Sequence, residues 1–232
     1  MNLTVAEKRK SIATLPPKNG KKEIFYPESD GQPMGETAFH VTVILSLFQT
    51  LGTFFNQQND VVVIADMMFY YEEGNPRKVI APDVMVVRGV GKHLRRTFKL
   101  WEEKIPEVVF EISSRGTWKE DFQKKFILYQ ELGVKEYYIF DPEYDYLAEP
   151  LVAYHLKEEE FKEIKVKRGK VFSPVLGLEI VDTGKTLRLF NPETKNFLPT
   201  MEDLTKQASK VGRLESEIEK LKAEVAKLKR QK

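Results

Sequence analysis

The 232-residue chain contains no cysteine, which removes disulfide staples, thiolate nucleophiles and cysteine-ligated zinc or iron–sulfur centres together. It has only three histidines, and no set of His, Asp and Glu has familiar zinc spacing. No apolar run approaches the roughly 18 residues that a membrane span needs. The opening stretch, MNLTVAEKRKSIATLPPKNGKK, carries basic residues without a continuous apolar segment and does not read as a secretory signal. A soluble, cytoplasmic protein with no membrane association is expected. Neither a phosphate-binding P-loop nor a dinucleotide fingerprint is present. A surplus of one charge is missing too: 37 Lys and Arg stand against 35 Asp and Glu, a formal +2. Nine basic and six acidic residues fall in 201–232, leaving 28 and 29 in the first 200. The general basic footprint of a nucleic-acid binder is therefore absent, and any such footprint is local.

What the chain does have is core-forming material. Apolar residues make up 41%, with 15 Phe and 9 Tyr, which excludes wholesale disorder and suits one domain with an appendage. Residues 1–35, with Pro16-Pro17, Asn19-Gly20 and Asp30-Gly31 as turn signals, read as an N-terminal arm. From Glu36 to about Phe55, Val41, Ile44, Leu45, Phe48 and Leu51 recur at helical spacing. Short apolar runs at 61–64, 67–71, 84–87, 108–112 and 137–140 read as buried strands, with a helix from Trp118 to Leu132 closed by Gly133. Period-two segments at 151–156, 163–166 and 187–190, with a hairpin tip at Arg168-Gly169-Lys170, make a β-rich C-terminal extension. The body, residues 36–199, is thus predicted to be α/β.

Residues 200–232 are a separate object. Val211, Ile218 and Val225 are seven apart, as are Leu214, Leu221 and Leu228. β-branched residues at heptad position a and Leu at d favour a parallel two-stranded coiled coil. The facing g and e positions pair Lys210 with Glu215, Glu217 with Lys222 and Glu224 with Lys229, all of opposite sign. A homodimer through residues 204–228 is expected, the alternative being a helix folded back on its own domain. The helix would reach about 45 Å.

Three segments place charges where charges are costly. Asp83, after Pro82, opens the apolar strand 84–87, and Glu111 interrupts the run 108–112. An ionised carboxylate in a buried strand is unfavourable by several kcal/mol, as an order of magnitude, without a cation or hydrogen-bond donors. A turn role for Asp83 and a strand-end salt bridge for Glu111 are the plainer alternatives. On the helix, Asp121, Lys125, Leu128, Tyr129 and Leu132 share one face, so Lys125 lies in an apolar stripe; a surface pair of Asp121 with Lys125 is its plainer alternative. Two carboxylates can hold Mg²⁺ with coordination sites open to water and phosphate, and an ammonium beside them can neutralise developing charge.

The order Pro82-Asp83, Glu111-x-Ser113, Asp121-x-x-x-Lys125-x-x-x-Tyr129 and Gly133-Val134-x-Glu136-Tyr137-Tyr138-Ile139-x-Asp141-Pro142 resembles the Uma-two family of restriction-endonuclease-like proteins, a branch of the PD-(D/E)XK nuclease superfamily. The resemblance runs from about Glu36 and His40 to about residue 190. It implies a restriction-endonuclease-like mixed sheet flanked by helices, with the active site at the ends of two central strands. It further implies that Asp83, Glu111 and the backbone carbonyl of Ile112 bind Mg²⁺ or Mn²⁺. The superfamily's usual lysine position is occupied here by Ser113, and the resemblance assigns that lysine's role to Lys125 on the following helix. Glu36, His40, Ser113, Asp121 and Tyr129 are candidates for supporting roles, though an acid at a helix start such as Glu36 also has an ordinary dipole explanation.

The basic loop Lys92, His93, Arg95, Arg96 and Lys99 lies between the two acidic strands, and the arm adds Lys8, Arg9, Lys10, Lys18, Lys21 and Lys22. Lys92, Arg95, Arg96 and Lys99 are candidate DNA contacts, with plain solubility as the alternative. His93 and His155 read as surface residues. The expected activity is metal-dependent hydrolysis of DNA phosphodiesters by a homodimer; the alternative is a catalytically inactive nuclease-fold module for DNA binding or protein interaction.

Overall fold

The computed structural model describes residues 24–29 and 37–230, with the side chains of 224–225 and 227–230 left out. Glu36, the basic residues of the arm before residue 24, Val225, Leu228 and the Glu224–Lys229 pair therefore lie outside what is described.

A six-stranded mixed sheet organises the body. Its order is β1 (Val61–Ala65), β4 (Val84–Arg88), β6 (Val108–Ile112), β7 (Glu136–Phe140), β8 (Leu151–Lys157) and β9 (Glu160–Glu163). Neighbours are antiparallel except β6 and β7, which run parallel. A parallel pair needs a crossover. Here it is built from α2 (Trp118–Glu120), a π-helical turn (Asp121–Lys125) and α3 (Phe126–Leu132), ended by Gly133 in the left-handed region at φ 84°.

Burial of both sheet faces explains why the central strands read as unbroken apolar runs. On one face Val84, Val86, Val108, Phe110, Ile112, Tyr138 and Phe140 pack with Val43, Leu47 and Leu51 of α1 (Ala38–Phe54). The same cluster takes in Leu178, Ile180, Leu187 and Leu189 of a second, antiparallel sheet, β10 (Lys170–Ser173), β11 (Leu178–Asp182), β12 (Leu187–Asn191) and β13 (Asn196–Phe197). On the other face Met85, Val87, Val109, Tyr137 and Ile139 meet Tyr129 of α3, with Phe69 and Phe98 of a small sheet made of β2 (Phe69–Tyr70), β3 (Val79–Ile80) and β5 (Phe98–Lys99).

Five expectations need correction. The stripe of α1 that faces the core is His40, Val43, Leu47, Thr50 and Leu51, while Val41, Leu45 and Phe48 are exposed. Apolar residues surround this helix, so spacing alone could not choose the buried face. The run 67–71 forms a strand only at Phe69–Tyr70, and the segment expected at 163–166 pairs instead as β9, residues 160–163. His155 is no surface residue: it is half-buried, with Nε2 3.2 Å from the Tyr138 hydroxyl. Part of the arm is also packed, since Tyr26 lies edge-on to Tyr70 and against Trp101, and Glu28 pairs with Arg96.

The C-terminal segment is one helix, α4 (Met201–Arg230), begun by a reciprocal cap. The Asp203 carboxylate accepts from the Thr200 N–H, and the Thr200 hydroxyl accepts from the Asp203 N–H. Its heptad residues Val211, Leu214, Ile218 and Leu221 are each about half exposed along the single helix. Among the described residues no helix is long and apolar enough to cross a membrane.

Candidate active site

The two strand-borne acids meet through the β4–β6 register. Val84 pairs with Phe110 and Val86 with Val108; one further step sets Asp83 opposite Glu111 on the α3 face, and Pro82 opposite Ile112. The Ser113 N–H bonds the Phe140 carbonyl on the β7 side, so the preceding residue, Ile112, turns its backbone groups towards β4. There the ladder is altered. Asp83 Oδ2 takes the Ile112 N–H at 2.6 Å, and the Pro82 carbonyl accepts instead from Asp66. Proline has no N–H to return to the Ile112 carbonyl, which leaves an oxygen acceptor beside two carboxylates. His40, held in the first turn of α1 by its N–H bond to the Thr37 hydroxyl, sets Nε2 3.4 Å from Asp83 Oδ2.

The helix supplies the other half. Lys125 Nζ lies 2.7 Å from Glu111 Oε2 and 3.0 Å from Asp121 Oδ1. The Tyr129 hydroxyl donates to Glu111 Oε1 at 2.6 Å, so each oxygen of Glu111 has one donor. Ser113 Oγ donates to Asp121 Oδ2 at 3.0 Å. Asp121 and Lys125 sit on the π-helical turn, a distortion often found where side chains are re-aimed at a functional site. Tyr137, unsuspected in the sequence as a site residue, donates its hydroxyl to the Asp121 carbonyl at 3.0 Å and so ties β7 to this turn. The alternation on β7 that points Tyr137 to the α3 face was the available signal.

Glu111 is wholly buried and Asp121 nearly so, while Lys125 and Asp83 keep a little exposure. Burial is the largest influence on Glu111 and, with Asp83 and Asp121 adding to it and Lys125 opposing, holds its pKa well above the ordinary carboxylate range. Asp121 is raised by burial as well, against the pull of Lys125. For Lys125 burial alone acts downward, but Glu111, Asp121 and Asp83 together outweigh it, and the ammonium stays charged. Burial and the facing Glu111 raise the Tyr129 phenol, which keeps it a donor.

The candidate DNA contacts are not gathered into one free patch. Lys92 donates to the Phe55 and Asn56 carbonyls at the end of α1. Arg95 is folded inward onto Glu103 at 2.6 Å. Arg96 pairs with Glu28 and Lys99 with Glu102. Only the Arg96 ion pair is open to solvent on both sides.

A sequence profile for the family described as "Putative restriction endonuclease", Uma2, matches residues 15–183. The chain belongs to the Uma2 family. Among solved structures it is similar to one described as a putative nuclease belonging to DUF820 from Anabaena variabilis ATCC 29413, at 15% identity and a TM-score of 0.46 over 75% of this chain and 91% of that one. No curated protein matches. The Uma2 match spans Asp83, Glu111 and Lys125 alike.

Among the described residues no three His, Asp or Glu side chains form a ready metal cage. The donors at hand are the carboxylates of Asp83 and Glu111 and the Ile112 carbonyl. All are hard oxygens, the set that suits Mg²⁺ completed by water. When ionised, Asp83, Glu111 and Asp121 set three negative charges against the single positive charge of Lys125. That imbalance is one a divalent cation would neutralise, so the residues present fit the ion.

Proposed function

We propose that this Uma2 chain is a divalent-metal-dependent DNA endonuclease that works as a homodimer. The observation that carries the reading is the convergence of Lys125 and Tyr129 on the buried Glu111, next to Asp83. A structural ion pair has no need of a second strand-borne acid at the same strand end, nor of a carbonyl set opposite a proline.

In this reading Asp83, Glu111 and the Ile112 carbonyl hold Mg²⁺ or Mn²⁺. The bound ion would polarise a phosphodiester and lower the pKa of a water. Tyr129 fixes the rotamer of Glu111, and His40 braces Asp83. Lys125 stabilises the negative charge that builds on the phosphate or orients the attacking water. Arg96 is the loop cation best placed to exchange its carboxylate partner for a DNA phosphate; Lys99 is the next, while Lys92 and Arg95 shape the loop.

The domain division into an arm, a nuclease-like body at 36–199 and a dimerising helix from 200 belongs to the same reading. The exposed a and d residues of α4 and its opposite-signed g and e positions support a parallel pair with a second copy. Two sites tied in this way can address both strands of a duplex.

Incubating plasmid DNA with the purified chain and Mg²⁺ or Mn²⁺ tests the proposal. Nicking or linearisation by the wild type, abolished by EDTA and in Asp83→Ala or Glu111→Ala, is expected. Metal and DNA binding without any cleavage, on plain, modified or branched substrates, would reduce the protein to a binding module.

A further inference from the structure

Lys125 stands between two acids, and they differ in what surrounds them. Glu111 faces Asp83 and the Ile112 carbonyl, where a cation would sit. Asp121 is fixed by other contacts: its carboxylate takes the Ser113 hydroxyl at 3.0 Å and Lys125 Nζ at 3.0 Å, and its carbonyl takes the Tyr137 hydroxyl at 3.0 Å. It is only 1% exposed. A carboxylate so buried is costly unless it is compensated, and among the described residues the one side-chain cation that contacts it is Lys125.

We infer that Asp121 is the positioning residue of Lys125, with the Ser113 hydroxyl locking Asp121 in place. The inference rests on the nuclease reading for its purpose but not for its geometry. When Glu111 gives its oxygens to another cation, the Lys125 ammonium would lose one of its two partners. Asp121 keeps it charged, compensated and held within reach of the same strand end. The lysine side chain has four rotatable bonds and would otherwise spend most of its time elsewhere. Ser113 thus contributes from just past the end of β6, while the amine itself comes from the helical crossover.

The test reads the amine directly. The full-length, metal-free protein is acetylated with a limiting amine reagent, and each lysine is quantified by peptide mass spectrometry. In Asp121→Asn, labelling of Lys125 relative to the exposed Lys124 should rise about fivefold, and in Ser113→Ala about twofold, because charge-assisted contacts to the ammonium are lost or loosened. Ser113→Ala removes one hydroxyl and keeps the test alive if Asp121→Asn fails to fold. A Lys125 to Lys124 ratio unchanged from wild type in the folded variants would overturn the inference.

A second arm uses cleavage. Asp121→Asn should lower kcat about tenfold or more with KM within about twofold, and adding it to Lys125→Ala should cost nothing further, since both remove one function. Independent, multiplying losses would overturn the inference. If the wild type does not cut DNA, the nuclease reading fails, and the labelling ratio alone decides whether Asp121 holds Lys125.

Discussion

Asp83 accepts the N–H of Ile112, 29 residues along the chain, through its side chain. The strand pair β4–β6 therefore ends on a carboxylate where it would otherwise end on a backbone carbonyl. The Pro82 carbonyl, which would otherwise take that N–H, accepts from Asp66 instead, and proline has no N–H to return to the Ile112 carbonyl. The same substitution of side chain for main chain brings Asp83, Glu111 and the Ile112 carbonyl to one strand end.

Removing either strand acid should abolish activity more than it harms the fold. Asp83→Asn and Glu111→Gln are expected to lower plasmid cleavage by about a thousandfold or more, the scale lost when charge stabilisation at a reacting phosphate is removed. Circular dichroism should show an intact fold. Cleavage at wild-type rate in the double variant would rule out the mechanism.

Lys125→Met keeps the length of the side chain and deletes its charge. Glu111 and Asp121 are then left buried without a cation, and the metal-free protein should lose about 3–5 kcal/mol of stability. Urea unfolding measures this. A loss under about 1 kcal/mol would mean that the ion pairs are looser than their distances indicate.

A carboxyl whose pKa is raised on folding holds its proton more tightly in the folded chain. It opposes folding progressively as pH climbs from its unfolded value, about 4.3 for Glu, through the higher folded value. Glu111 and Asp121 are both shifted upward. Lys125, shifted upward, contributes stability below its unfolded value near about 10.4 and loses it only above that, so it adds no slope between pH 5 and 8 (roughly the usable range). The stability of wild type relative to Glu111→Gln should accordingly fall as pH rises across that range without metal. A flat or rising difference in urea titrations would contradict the upward shift of Glu111.

Mn²⁺ should protect the folded protein. At a concentration about a hundred times Kd, binding to one site adds about 2.7 kcal/mol, seen as a rise in Tm that is absent in Asp83→Asn. An equal rise in that variant would place the ion elsewhere.

Leu214→Glu with Leu221→Glu puts like charges along the exposed stripe of α4 and should convert a dimer into a monomer in sedimentation analysis. A wild-type monomer at all concentrations would end the coiled-coil proposal.

Much of the sheet was legible because its strands are buried on both faces. Val84 to Val87 are apolar throughout and Val108 to Ile112 at every position but 111, and the charges that break this pattern, Asp83 and Glu111, are those that gather at the site. The helix was less legible. Spacing put Asp121, Lys125 and Tyr129 on one face, yet it could not say that this face meets Glu111 or that the first part winds as a π turn. On α1 the apolar residues go all the way round, so the buried stripe was misread. His155 looked like a surface residue because nothing local announces the Tyr138 hydroxyl across the strand pair.

By itself the sequence determined the central strands 84–88, 108–112 and 136–140 and the two long helices, and which charged residues stand in apolar surroundings, because both follow from contacts a few residues apart. Tertiary structure alone decided that Lys125 reaches Glu111, that Ser113 holds Asp121 and that Arg95 turns inward. Those pairings depend on strand register and on how the crossover helix lies against the sheet, which many distant side chains fix together.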